Sequence, residues 1–313
     1  MSEPTRFGFC AILGAPNAGK STLTNALVGQ KVSIVTHKVQ TTRFPVRGVF
    51  IEGASQIVLV DTPGVFAPKR RLERAMVQAA WEGAKSVDAR VHVVDAPAEA
   101  AVTDGAPSGA DHHSVEDRQR VTAGLAERGG GAILVLNKVD AIERPKLLDL
   151  ALNLHQSGAY SAVFMVSART GSGLKELAKA LAAAMPEGPW MYPEDQVADL
   201  PSRMLAAEIT REKVFLRLHD ELPYQSAVET ERWEERKDGS VRIDQILYVA
   251  REGHKGIALG KGGATLKAIG QAARAEMIEV FERPIHLFLH VKVRETWADD
   301  RARFREMGLE WDV

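Results

Sequence analysis

Eight residues, Gly14, Ala15, Pro16, Asn17, Ala18, Gly19, Lys20 and Ser21, set glycines at both ends of a loop that closes on a lysine and a hydroxyl. Those residue types at that spacing suit a phosphate cradle. The glycines let backbone N–H groups turn inward, Lys20 can reach β- and γ-phosphates, and the Ser21 hydroxyl can ligate Mg²⁺. Thr22 follows into a helix whose positive end would face the charge. Alone, the pattern also fits an ATPase or a plain strand-to-helix turn. Three further motifs narrow the choice. In Asp61-Thr62-Pro63-Gly64 the carboxylate can hold the metal through water, and the Gly64 N–H can meet a γ-phosphate. In Asn137-Lys138-Val139-Asp140 the Asp140 carboxylate can accept from the ring N–H and the exocyclic amine of guanine. Adenine lacks both donors on that edge, so it would leave a carboxylate unpaired at a cost of about 1–3 kcal/mol. Asn137 is placed to brace the loop, and the stem of Lys138 to lie over the base. In Ser167-Ala168-Arg169 a backbone N–H, that of Ala168, can meet the base carbonyl. In this order the set points to guanine, with GTP and GDP as ligands and Mg²⁺ held by Ser21 and, through water, by Asp61.

These motifs need elements that hold them at one edge, and the chain supplies them. Its 313 residues leave room for two domains. Up to about residue 185, "FGFCAILGA", "SQIVLVDTPG", "ARVHVVDA", "GAILVLNKVD" and "YSAVFMVSA" read as strands separated by helix-length stretches. That alternation predicts an α/β domain with a mainly parallel sheet and flanking helices, with ligands at the carboxyl ends of the strands. Each polar motif directly follows one of the runs. Residues 97–118, small, polar and rich in Gly and Pro, read as a long exposed loop, with His112 and His113 a solvated pair. Three prolines and a glycine in "MPEGPWMYPEDQ" mark an interdomain connection, which sets domains at 1–188 and 201–313 with a linker at 189–200. The second part reads αββααβ, with an Asp-Gly hairpin signal in "KDGS" and a C-terminal tail.

Composition excludes some classes. The 40 basic and 41 acidic residues nearly cancel, so a nucleic acid would need a local patch. One cysteine, Cys10, rules out an internal disulfide and suits a reducing cytoplasm, where it reads as a packed core thiol. No uninterrupted apolar run reaches membrane length. The expectation is a soluble cytoplasmic protein, with a peripheral contact to the inner face of the cell membrane left open.

The patch lies in the second part. "GKGG", Gly260, Lys261, Gly262 and Gly263, joins two helical patterns and would let a sugar-phosphate backbone approach both helix ends. Between Arg251 and Arg294 eight Lys or Arg face four Glu, a net of plus four. Lys255, Lys261 and Lys267 cluster around the turn, with Gly256 and Ile257 beside it. Ile257, Leu259, Leu266 and Ile269 could line a groove or the core, and Trp233 and Trp297 could stack bases or pack inside.

The first part resembles a Ras-like P-loop GTPase domain, and with the second it is similar to the bacterial Era GTPases over nearly the whole chain. The motifs that carry this are "GAPNAGKS", "QTTR", "DTPG", "NKVD" and "SAR", with "HKGIALGKGGATLKAIG" as the GXXG loop of a smaller α+β, type II KH domain. The resemblance implies that Thr42 of "QTTR", beside Thr41, ligates magnesium when GTP is bound. It also implies a slow GTPase acting as an RNA-binding switch, which holds single-stranded RNA at the 3′ end of small-subunit ribosomal RNA during maturation of the 30S subunit. The stretch "VSIVTHKVQTTR" shows no fixed partner and is expected to order around a γ-phosphate. "SAR" departs from the commoner family pattern, harmlessly if only a backbone group makes the contact.

Where Ras follows its DxxG glycine with a water-orienting glutamine, this chain has Val65 and Phe66. Hydrolysis would then rest on positioning by Lys20, Thr42, Gly64 and Asn17. Asn17 either helps hold a potassium ion or simply braces the loop; no arginine is evident as an internal charge donor, with Arg43 left open. A constitutive RNA-binding scaffold, whose GTP site serves only stability, is the competing possibility.

Overall fold

The structure, a computed structural model, describes residues 4–157, 159–295 and 300–313. It divides into two compact units: Met1–Ser33, Thr42–Asp199 and Gly308–Val313 in one, and Ile34–Thr41 with Leu200–Met307 in the other.

The first unit is built on β1 (Arg6–Gly14), β2 (Val46–Glu52), β3 (Ser55–Asp61), β4 (Ala89–Asp95), β5 (Ala132–Asn137) and β6 (Tyr160–Met165). Its helices are α1 (Lys20–Val28), α2 (Arg71–Glu82), α3 (Ala96–Thr103), α4 (Gly109–Glu127), α5 (Arg144–His155) and α6 (Leu174–Ala184). The sheet order is β2-β3-β1-β4-β5-β6, parallel except where β2 meets β3. Both faces of β1 are buried, which is why it reads as one apolar run. Successive side chains alternate between faces. Cys10 and Ile12 join Leu59, Val93, Leu23 and Leu177 on one side, whereas Ala11 and Leu13 join Leu136, Val121 and Leu150 on the other. Each such Leu or Ile contributes about 1.5–3 kcal/mol by leaving water. The packing fixes the register that levels the strand ends: Ile12 lies opposite Asp61, Gly14 opposite Val93, and Asp95 opposite Asn137.

Residues 97–118 are a correction. They form most of α3 and the first half of α4, with only 104–108 between. Asp95 caps α3 by accepting from the Ala98 N–H, with Pro97 in the first turn. Ser108 caps α4 and Asp111 returns the bond, a capping box. A buried bidentate pair, Arg118 to Glu99 at 2.8 and 3.0 Å, joins the two helices. Small side chains and turn residues resemble a loop locally, but capping and this distant pair decide for helix. His112 and His113 are exposed on α4. Buried His92 in β4 meets the Tyr160 hydroxyl at 2.7 Å, and burial pushes its pKa down to about 3, so it stays neutral.

The connection after α6 is fastened rather than loose. The Val49 N–H donates to the Val197 carbonyl at 2.8 Å, and Gln56 Oε1 accepts from the N–H groups of Met191 and Tyr192. It thereby covers the open edge of β2.

The second unit runs α7 (Ser202–Arg217), β7 (Ser226–Glu235), β8 (Val241–Val249), α8 (Glu252–Leu259), a short 3-10 turn, α9 (Ala264–Phe281), β9 (Ile285–Val293) and α10 (Arg301–Glu306). This is the αββααβ order with one helix added. In the sheet, β8 is antiparallel to β7 and parallel to β9. Leu205 and Ile209 of α7 and Ala273 and Met277 of α9 pack on Ile243 and Ile285. Trp233, half-buried, packs edge-on against Phe281, centroids 5.3 Å apart, and lies against the core cluster. Trp297 lies outside the described residues.

Candidate nucleotide and nucleic-acid sites

The phosphate loop turns between β1 and α1. Gly14, Asn17 and Gly19 have φ of 155°, 62° and 96°, a backbone that a β-carbon disfavours, and it leaves exposed Asn17 at the tip. A side chain at Gly19 is also excluded by Asn137, whose Nδ2 would lie 2.2 Å from a Cβ there. Lys20 Nζ donates to the carbonyls of Gly14 and Ala15 at 3.1 and 2.9 Å. It is buried, and desolvation pushes its pKa down to about 8. An ammonium held against two neutral carbonyls is poised for an anion. Ala15 and Ala18 are buried, Pro16 and Thr22 half-buried. Pro16 presses on Gly64, where an added Cβ would come within 2.9 Å of it.

Three oxygen ligands converge beside the loop. Ser21 Oγ donates to Asp61 Oδ2 at 2.7 Å and lies 2.9 Å from Thr42 Oγ1. Asp61 is fully buried, and its Oδ1 has no hydrogen-bond partner among the described residues. Burial raises its pKa, while the hydroxyls of Ser21, Ser33 and Thr42 and the charge of Lys20 hold it down. Two hydroxyls and an incompletely bonded carboxylate fit a hard divalent cation that keeps most of its waters and shares phosphate oxygens. Among the described residues no group of three or more His, Cys, Asp or Glu could hold a metal. Thr62 is drawn away, its hydroxyl donating to the Ile12 carbonyl at 2.7 Å. Pro63 is buried beside it. Val65 is 3% exposed in the core, and its N–H donates to the Gly14 carbonyl at 3.1 Å.

At the other end of the site, Asn137 ties three motifs together. Its Nδ2 donates to the Ala18 carbonyl at 2.9 Å and its Oδ1 accepts from the Ala168 N–H at 3.1 Å. Lys138, with φ 64°, reaches back to Asp95 at 2.5 Å. Asp140 accepts from Ser167 Oγ at 2.5 Å, which together with Arg169 keeps its carboxyl below the usual range. Arg169 also pairs with Asp140 Oδ2. The departure at Arg169 is therefore not inert, since its guanidinium sits on the carboxylate expected to meet the base.

Sequence reasoning singled out Thr42 from Thr41 through the resemblance but did not find the partners of the switch stretch. Thr42 joins the metal-fitting cluster. The Thr41 hydroxyl turns instead to Thr36 at 2.6 Å and the Lys38 carbonyl at 2.7 Å. The stretch expected to lack a partner has two. Glu212 accepts from the Val35 N–H at 2.8 Å, and Arg211 donates to the Thr41 carbonyl. Both are buried residues of α7, about 170 positions away, and no local signal marks them. Arg43 is 3% exposed. Asn25, Ser33 and Asp95 were missed as well.

In the second unit, Gly260, Gly262 and Gly263 all take positive φ, 70°, 60° and 79°. A Cβ at Gly260 would lie 2.2 Å from Thr265 Oγ1. Gly263 leaves α9 without a side-chain cap; the Ala264 N–H donates to the Lys261 carbonyl, and a helix start with no capping side chain suits an anion. Lys261, Lys267 and Gly256 are exposed, and Lys255 lies 3.8 Å from Glu252. Ile257 stands 60% exposed beside the turn, whereas Ile269 is fully buried with Leu266 packed on its cluster. Phe288 of β9 is also exposed, under the Arg242 guanidinium.

Residues 9–138 match the family of 50S ribosome-binding GTPases, and 221–298 match the KH domain. GTPase Era of Caulobacter vibrioides is 59% identical over 312 residues, covering 100% of this chain and 99% of that protein. GTPase Era of Maricaulis maris is 58% identical over 314 residues, all of both chains. A crystal structure of Era in complex with MgGDPNP and nucleotides 1506–1542 of 16S ribosomal RNA has a TM-score of 0.85 and 34% identity, covering 97% of this chain and 99% of that one. Aquifex aeolicus Era bound to GDP.AlF4⁻ gives the same score, identity and coverage.

Proposed function

Because the chain belongs to the Era family of GTPases, we propose that it is a cytoplasmic switch that binds and hydrolyses GTP and holds single-stranded RNA. Its RNA would be the 3′ end of small-subunit ribosomal RNA, and its task assembly of the 30S subunit. The observation that carries this best is the meeting of Ser21, Thr42 and the half-bonded Asp61 at the ends of β1 and β3. Support for the RNA comes from the uncapped glycine turn with its lysines, and from the relative solved with 16S ribosomal RNA nucleotides.

In this reading Lys20 leaves its two carbonyls for the β- and γ-phosphates. Ser21 and Thr42 ligate the divalent cation and Asp61 orients its water. A divalent cation held there would supply charge neutralisation at the phosphates. The backbone N–H groups from Gly14 to Thr22 line the phosphates, and the Gly64 N–H holds the γ-phosphate. Asn137, Lys138, Asp140, Ser167, Ala168 and Arg169 surround the base. Val65 offers water nothing, and moving it out of the core would cost about 1.5–3 kcal/mol, so intrinsic turnover is slow. Asn17 would hold a potassium ion near the developing charge. On the RNA side, Lys255, Lys261 and Lys267 neutralise phosphates, Gly256, Gly260, Gly262 and Gly263 let the backbone approach, and Ile257 packs against a base. No helix among the described residues is long and apolar enough to cross a membrane.

The test measures GTP turnover in potassium and in sodium, and RNA affinity with GTP, GDP and no nucleotide. Turnover of about 10⁻² s⁻¹ or slower is expected, faster in potassium, with RNA affinity set by the nucleotide. Absent turnover with one affinity throughout would leave only the scaffold. Equal rates in the two salts would remove potassium alone.

A further inference from the structure

Asn25 lies one turn along α1 from Ser21 and brackets the start of the switch stretch. Its Oδ1 accepts from the N–H groups of Val32 and Ser33, both at 2.9 Å, and its Nδ2 donates to the Ser33 carbonyl at 2.7 Å. Two of these bonds hold the Ser33 backbone and the third holds its neighbour Val32, which together fix where the Ser33 Cα–Cβ bond points. The hydroxyl that results is buried at 2% exposure, and its Oγ has no hydrogen-bond partner among the described residues. It lies close enough to the Asp61 carboxylate to help hold that group's pKa down. Asp61 Oδ1 is itself incompletely bonded. Buried hydroxyls and carboxylates are nearly always satisfied. Two neighbouring groups that are not imply a third between them.

We propose that Ser33 is a further member of the divalent-cation site and binds a water on the cation. The inference rests on the guanine-nucleotide function proposed above. Magnesium demands six oxygens and keeps several waters, each with protons to donate. A hydroxyl can accept one such proton and turn its own toward an acceptor. Ser33 Oγ between a metal-bound water and Asp61 Oδ1 meets both needs and satisfies both groups. Its role differs from that of Thr42. Thr42 lies past the switch stretch and would depend on the γ-phosphate, whereas Ser33 is pinned to α1 by Asn25. Ser33 therefore keeps its place with GDP bound and governs how firmly the cation is retained in that state.

The experiment loads the full chain with fluorescent GDP and follows its release as Mg²⁺ is titrated, then repeats the release in EDTA. With Ser33→Ala the Mg²⁺ concentration giving half-maximal retention should rise about 10- to 100-fold, the usual loss for an outer-sphere partner. Release in EDTA should match the wild type, and Ser33→Thr should restore retention. An unchanged Mg²⁺ midpoint overturns the proposal. Equally faster release in EDTA also overturns it, because the hydroxyl would then contact the nucleotide itself. Should Ser33→Ala fold poorly, the isosteric pair Ser33→Thr and Ser33→Val asks the same question. A wild-type chain that retains no GDP at all would overturn the guanine-nucleotide function, a separate result.

Discussion

The Asp140 carboxylate has both oxygens engaged before any base arrives, one by Ser167 and one by Arg169. A carboxylate offers about four acceptor positions, so Ser167 can stay while a base donates. Arg169 competes more directly, but its side chain is 79% exposed, and such a pair is worth about 1 kcal/mol or less. Arg169→Leu should therefore tighten GDP binding by up to about fivefold in a direct titration. Weaker binding would mean that Arg169 itself holds the nucleotide. Lys20 gives a second residue-scale expectation. Desolvation puts its pKa at about 8 without ligand, and phosphates require the charged form. Below pH 8 the lysine is already protonated and affinity should be flat. Above it, binding must take up a proton, and by pH 9 affinity should fall about tenfold. Calorimetry at pH 9 in buffers of different ionisation enthalpy should register that uptake. The stability of the ligand-free protein should run the other way. Between pH 8 and the ordinary lysine value the unfolded chain binds more protons, so stability rises with pH there.

At the scale of elements, the glycine turn before α9 is the most constrained piece. Gly260→Ala demands φ near 70° and brings a Cβ onto Thr265. RNA affinity should drop at least tenfold while GTP turnover stays unchanged, and filter binding beside a phosphate-release assay would tell. Elements of this kind were the legible ones. The five parallel strands, the hairpin at "KDGS" and the αββααβ order all follow from apolar runs and turn residues, which act locally. β2 escaped because it is an edge strand of mixed polarity, and α3 and α4 because their stability comes from caps and the Glu99–Arg118 pair rather than from apolar spacing. The nucleotide motifs were readable for the opposite reason, since each is a short run at one strand end. Arg211 and Glu212 act across the chain, and single-sequence patterns hold no trace of such pairs, whereas Asn25 and Ser33 bond locally but carry no motif.

At the scale of the whole molecule, the chain changes unit between Thr41 and Thr42. Thr42 reaches toward Ser21, while the carbonyl one residue earlier is held by Arg211. Under the proposed function, a γ-phosphate that draws on Thr42 would load Thr41, one peptide bond away, whose carbonyl Arg211 of α7 holds. Arg211→Lys keeps a charge beside Glu208 but loses the planar fork that serves two acceptors at once. It should shrink the GTP-to-GDP difference in RNA affinity at least fivefold, the low end of ordinary allosteric coupling. RNA binding by the nucleotide-free protein should be unchanged. A preserved difference would move the coupling elsewhere, for instance to the tail, where Trp311 stacks under Arg71 of α2.

Cys10, the chain's one cysteine, lies in the middle of β1 with no exposure, and burial pushes its thiol up to about 12. Maleimides attack thiolates, so the native protein should take up no dye. A cysteine introduced at exposed Val39 or Ile257 would then be the only labelled atom in the molecule. Fluorescence probes could be mounted in pairs on an otherwise unlabelled background, and single molecules would show whether a nucleotide changes the distance between them.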